Sequence, residues 1–219
     1  MPDNSYNDAA VRKTLHKVRA SWSNAAAIIV MFCVQSFMYL LDGAAPAILV
    51  PLLASLITSW WIAFSLSGVG VHYKMLEVLP VTKRALAGYM VFAGEQSIYI
   101  QLAASLAAAS LFSDEPYSMF SASVCFAVML AVYYIFAGRL VKYTITTSES
   151  VISYSEELGP LAAMFIIFGT VNVLVNSFMP LVGISVGKAA AIVFLIAAWL
   201  VLMLCRKKVV DAVEKEMLF

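Results

Sequence analysis

Val71-His-Tyr-Lys-Met-Leu-Glu-Val-Leu-Pro80-Val-Thr-Lys-Arg84 is a short polar interruption between two long apolar runs. Val71, Met75, Val78 and Leu79 fall at i, i+4, i+7 and i+8, one face of a two-turn helix, with Lys74 and Glu77 as an i,i+3 ion pair on the other. Pro80 stops that helix by pushing Leu79 out of the α region. Thr82 then suits the cap of the next helix. Lys83 and Arg84 fall in its first turn, where the macrodipole disfavours cations, so anchoring to lipid phosphate is their expected role. A charged anchor in any cytosolic loop is the plainer alternative.

Outward from this stretch the chain is apolar. Its 219 residues are 63% hydrophobic and 12% charged, against roughly 25% charged in soluble domains. A membrane protein with little room for a soluble domain is expected. Cys33, Cys125 and Cys205 are odd in number and dispersed in apolar runs, so neither a disulfide framework nor a metal site is expected.

Six runs, 24–41, 44–69, 85–111, 117–138, 160–181 and 188–205, can each cross about 30 Å of hydrocarbon. The expected fold is a single all-α transmembrane domain over residues 1–219 with six spans. The second and third runs should tilt, bend or protrude, with Pro51 a kink in the second and Pro46 in its opening turn. Residues 8–22 read as a basic amphipathic helix lying at the interface, with Val11, Leu15, Val18 and Trp22 on its apolar face. A cleaved signal peptide is rejected, because the apolar core from Asn24 is about 18 residues, longer than a usual h-region, and five more spans follow.

Orientation follows from the cations. With a cytosolic amino terminus, every Lys and Arg but Lys188 lies inside, and Asp42, Asp114 and Glu115 lie outside. The carboxy terminus is then cytosolic as well, with Arg206-Lys207-Lys208 as a basic tail. Ser153 and Glu156 have capping-box spacing before Gly159-Pro160, the pattern of a second short interfacial helix.

No enzyme is expected. Gly183-Ile-Ser185-Val-Gly187 matches a G-x-S-x-G elbow, yet both histidines, His16 and His72, fall on the opposite side. As a phosphate loop, Gly183 to Lys188 lacks a spacer and the following Ser or Thr. A small-residue turn permitting close helix packing remains.

Polar residues within spans carry the functional information. Glu95 lies about 16 Å along a helix from Arg84, near mid-membrane, where a carboxylate needs water or a partner. It is expected to be protonated part of the time, or paired with groups such as Gln35 or Tyr99. It is either a contact for a cation, proton or cationic substrate, or a hydrogen-bonded strut. Asn172 and Asn176 share a face of the fifth span with Gly169, as pore lining or as interhelical glue, with lining the favoured expectation. Glu95, Gln35, Asn172 and Asn176 are thus the candidate pathway residues.

Leu76-Glu-Val-Leu-Pro80-Val-Thr-Lys-Arg84, followed by Gly88-Tyr89, resembles the LPV-[ST]-[KR]-[KR] segment of ABC-2 type transporter permeases. Val78 stands where the family often has a polar residue. The resemblance implies a bacterial plasma-membrane permease whose 71–80 segment is a short interfacial coupling helix between the second and third helices. Tyr73, Lys74, Glu77, Leu79, Pro80, Lys83 and Arg84 would then meet a cytosolic ABC ATPase dimer. That partner would bind ATP and Mg, so this chain would hold no cofactor and no nucleic acid. Lipids and a second permease chain are the other implied partners, and peptides or drugs the implied exported substrates, with antimicrobial resistance as one outcome. The rival classes are a substrate-capture subunit of an energy-coupling-factor importer and a non-transporting membrane scaffold or chaperone.

Overall fold

The computed structural model of the chain describes residues 22–41, 44–77, 82–115, 117–147, 154–182 and 188–216. Among these it is all helical: α1 (Trp22–Leu40), α2 (Ala44–Glu77), α3 (Lys83–Phe112), α4 (Ser118–Thr147), α5 (Tyr154–Val182) and α6 (Lys188–Glu216). Local chemistry sets the visible ends. Thr82, extended at φ −68° and ψ 141°, accepts a hydrogen bond from the Ala85 N–H at 3.3 Å and caps α3, as expected. At the other end Ser113 N–H closes on the Ala109 carbonyl, and Ser113 Oγ lies 2.6 Å from Ser118 Oγ, tightening the turn into α4.

Two expected breaks are missing. Residues 71–77 continue α2 rather than forming a separate helix, so α2 runs for 34 residues, about 51 Å at 1.5 Å per residue. The helix period expected for 71–79 is present through Glu77, and Gly68 and Gly70 before it do not end the helix. Likewise residues 154–159 are the first turns of α5, not an independent interfacial helix, and α4 extends to Thr147. Pro51 sits inside α2 without ending it; the Pro51 carbonyl accepts from Ser55 Oγ at 2.8 Å. Of the amphipathic helix expected over 8–22, only Trp22 falls within the described residues, as the first residue of α1. The side chains of Tyr73, Lys74 and Glu77, together with Leu79 and Pro80, fall outside them.

The largest correction is at the far end. The expected basic tail after Cys205 is part of α6, which continues to Glu216 and buries Val210 and Val213 in the main core. Val209, Val210 and Val213 recur at helical spacing, which keeps an apolar stripe running past the three cations.

Helix α3 packs against α1, α2, α4 and α6, and α4 also meets α2, α5 and α6. The main core joins α2 through α6 around Met90, Val91, Met129, Leu130, Tyr133 and Phe168, all under 2% exposed. A smaller cluster of Met31, Ala54 and Ala104 ties α1 to α2 and α3. Among the described residues, three segments are long and apolar enough to cross a membrane: Ser118–Val141, Gly159–Phe178 and Lys188–Lys215. Ala26–Leu40 and Ile48–Ala63 are shorter apolar stretches. The outer surface carries large bare side chains on several helices, including Ile29, Trp60, Ile135 and Leu204, each more than 60% exposed. So much apolar surface belongs against lipid or another apolar chain rather than water.

Gly94 permits the closest approach of α3 to α4. A Cβ there would overlap the Tyr133 ring, whose hydroxyl donates to the Val91 carbonyl at 2.9 Å in a fully buried site. Gly94→Ala should therefore destabilise the chain by about 1–3 kcal/mol through overpacking. Thermal unfolding of the detergent-purified variant checks this; an unchanged midpoint would show that Tyr133 moves aside freely.

Candidate functional site

Glu95 is 1% exposed in the middle of α3, and its carboxylate is met from two other helices. Arg206 Nε of α6 lies 2.8 and 3.0 Å from its two oxygens, and Tyr134 Oη of α4 donates at 2.8 Å. Arg206 Nη2 also donates to the Gly88 carbonyl at 3.2 Å. Gly88 and Glu95 are seven residues apart, two turns of one helix face, so a single guanidinium can reach both.

The same face continues in both directions. Arg84 Nη2 is 2.6 Å from Asp211 Oδ1, and Trp199 Nε1 donates to Tyr99 Oη at 3.3 Å. Numbers rise along α3 (84, 88, 95, 99) as they fall along α6 (211, 206, 199), so the two helices are antiparallel and joined by a polar seam. The ends of the seam differ in weight. Arg84 and Asp211 are each about half exposed, so solvent screens that pair. Glu95 is enclosed, and a carboxylate there needs the cation that faces it.

This places the expected residues as follows. Glu95 has the partner it required, but neither Gln35 nor Tyr99 is among the donors to it; Gln35 is buried separately on α1. Of the two expected roles, the geometry is that of a strut. Asn172, 4% exposed, donates to Ser55 Oγ at 2.7 Å and approaches Met129 Sδ at 3.7 Å. Asn176 donates to the Asn172 carbonyl and accepts from Ser121 Oγ. The asparagine stripe thus hydrogen-bonds this chain's own α2 and α4, the contacts expected of interhelical glue, and Leu52 lies close against Gly169 beside it. Thr58 donates to Gln101 in a neighbouring bond between α2 and α3.

Arg206 is the member of this site that the sequence hides. It follows directly on the apolar run and reads as the first cation of a tail. The signal that could have found it lies further on, where Asp211 and Glu214 alternate with buried valines and keep the helix amphipathic.

Two grooves flank α6 at this end. One, of about 350 Å³, is lined by Thr82, Arg84, Gly88, Arg206 and Lys207 among others. The second, of about 480 Å³, includes Tyr134, Arg139 and Lys208 in its lining. No cluster of metal-ligating side chains occurs among the described residues, and the Gly183–Gly187 turn lies outside them.

Removing one member of the central pair should cost more than removing both. Arg206→Gln strands the Glu95 carboxylate and should destabilise by about 2–3 kcal/mol, below the usual buried-pair cost because Arg206 is partly exposed. Glu95→Leu combined with Arg206→Met should recover most of that loss. A double-mutant cycle on thermal unfolding reads the coupling; additive losses would show that the two groups act independently.

No protein-family model matches the chain, and no curated protein or solved structure matches it either, so the chemistry of this site rests on its own groups.

Proposed function

We propose that this chain is the membrane-spanning permease subunit of an ATP-driven exporter for peptides, drugs or other amphipathic substrates, powered by a separate ATPase. The observation that supports this reading best is the continuity of α2 from its apolar stretch Ile48–Ala63 through Glu77. At about 51 Å, α2 is far longer than a hydrocarbon core of about 30 Å. It is a stiff arm that would carry residues 71–77, part of the stretch resembling the ABC-2 coupling segment, clear of the bilayer. An ATPase pulling on such an arm would move the apolar half of the same helix, with Gly68 and Gly70 as the weakest points between them.

In this reading all six helices cross a bacterial plasma membrane, with both termini on the cytosolic side. The cation-bearing ends carrying Lys83, Arg139, Lys207, Lys208 and Lys215 then face the cytosol. Two chains form the working unit, and the substrate path runs between them. Asn172 and Asn176 are engaged within one chain, so they brace the path rather than line it. Glu95 meets a cationic substrate only if Arg206 is displaced.

Co-purification tests the reading. The tagged chain, extracted from its native membrane in mild detergent, should bring down an ABC-type ATPase. Lys83→Glu, at the exposed start of α3, should reduce that recovery several-fold while membrane yield holds. Lys188→Glu, at the start of α6 and the opposite end, should leave it unchanged. Recovery of the wild-type chain with membrane proteins or lipids and no ATPase would favour the scaffold reading and remove the exporter.

A further inference from the structure

The groove between the start of α3 and the carboxy-terminal half of α6 has a chemistry that the ion-pair seam does not use up. Its volume of about 350 Å³ falls within the usual range of small-ligand sites. Arg84, Arg206 and Lys207 supply cations to its lining, with the Thr82 hydroxyl at one edge. Ala85, Gly88, Met203 and Val210 supply the apolar wall.

Both arginines are held in place from behind. Arg84 gives Nη2 to Asp211, while Arg206 gives Nε to Glu95 and Nη2 to the Gly88 carbonyl. Each guanidinium has five N–H donors in a rigid fork, so several remain after these bonds, already positioned. Two of the three cations are matched by Asp211 and Glu95, which leaves one in excess. A phosphodiester carries one negative charge and two acceptor oxygens. It matches that surplus, whereas a phosphate monoester or a nucleotide would bring more charge than the lining offsets.

We propose that this groove binds the phosphodiester headgroup of an anionic phospholipid. The apolar surroundings favour a lipid over a soluble phosphate ester. Leu200 and Leu204, on α6 within two turns of Lys207, are each more than half exposed, and Met203 and Val210 belong to the groove itself. A headgroup seated among Arg84, Arg206 and Lys207 would leave its acyl chains beside this exposed apolar surface. Basic pockets between helices at a membrane face suit such headgroups in general. The bound lipid would then sit across the α3–α6 seam and add a third party to the joint made by Arg206.

Lipid retention, read by native mass spectrometry of the whole purified chain, provides the test. The chain is released from mixed micelles holding phosphatidylglycerol and phosphatidylcholine at equal concentration. One phosphatidylglycerol per chain should be retained in preference to phosphatidylcholine. Lys207→Gln should weaken its retention about fivefold, the effect of removing one near-surface cation. Lys188→Gln, at the other end of α6, should leave it unchanged. Lys207 takes part in neither ion pair of the seam, so its variant should keep the wild-type unfolding midpoint. Equal retention of the two lipids, or no difference between Lys207→Gln and the native chain, would overturn the proposal. Displacement of the lipid by millimolar glycerol phosphate would also overturn it, by assigning the groove to a soluble phosphate ester.

Discussion

The contact between Arg206 and Glu95 is the constraint from which the rest of the bundle takes its form. A carboxylate enclosed by helices requires a cation, and the one that reaches it stands on α6. That requirement fixes the register of α6 against α3, because Arg206 must also meet the Gly88 carbonyl two turns away. With the register set, Asp211 falls opposite Arg84 and Trp199 opposite Tyr99. Tyr134 brings α4 to the same carboxylate. Three helices thus share one buried negative charge, and the core of Met90, Leu130 and Tyr133 closes alongside it. The pair ties α3 to α6 at a single point along both helices.

The second polar network does a related job on the other flank. Asn172 ties α5 to Ser55 on α2 and lies against Met129 on α4, and Asn176 repeats the tie to α4 through Ser121. Both networks are directed inward and serve cohesion. The surface they leave outside is apolar, with Ile29, Trp60, Ile135 and Leu204 largely bare.

What the sequence disclosed depended on whether the deciding partner was local. Thr82 as a cap, the start of α3 at Lys83 and the start of α4 just past Asp114 and Glu115 are written in neighbouring residues, and they appear as expected. The division of α2 at residue 71 was misread because a change of polarity looks like a change of element, although nothing in that stretch breaks a helix before Pro80. The burden on Glu95 was legible from its depth in an apolar run. Its partner was not, since an arginine 111 residues later carries no mark of the pairing. A comparable distance in sequence hid the contact from Asn172 to Ser55, 117 residues away.

The separation between Glu95 and Arg206 also orders events while the chain is being made. At roughly 5–20 residues per second, Arg206 leaves the ribosome some 5 to 20 seconds after Glu95. Tyr134 arrives much sooner, only 39 residues behind the carboxylate. For that interval the nascent chain holds an acidic residue in an apolar helix with a phenol as its first company. The carboxylate lacks its cation until Arg206 of α6 emerges. The contact at Glu95 is therefore completed late, by the helix that brings the missing charge.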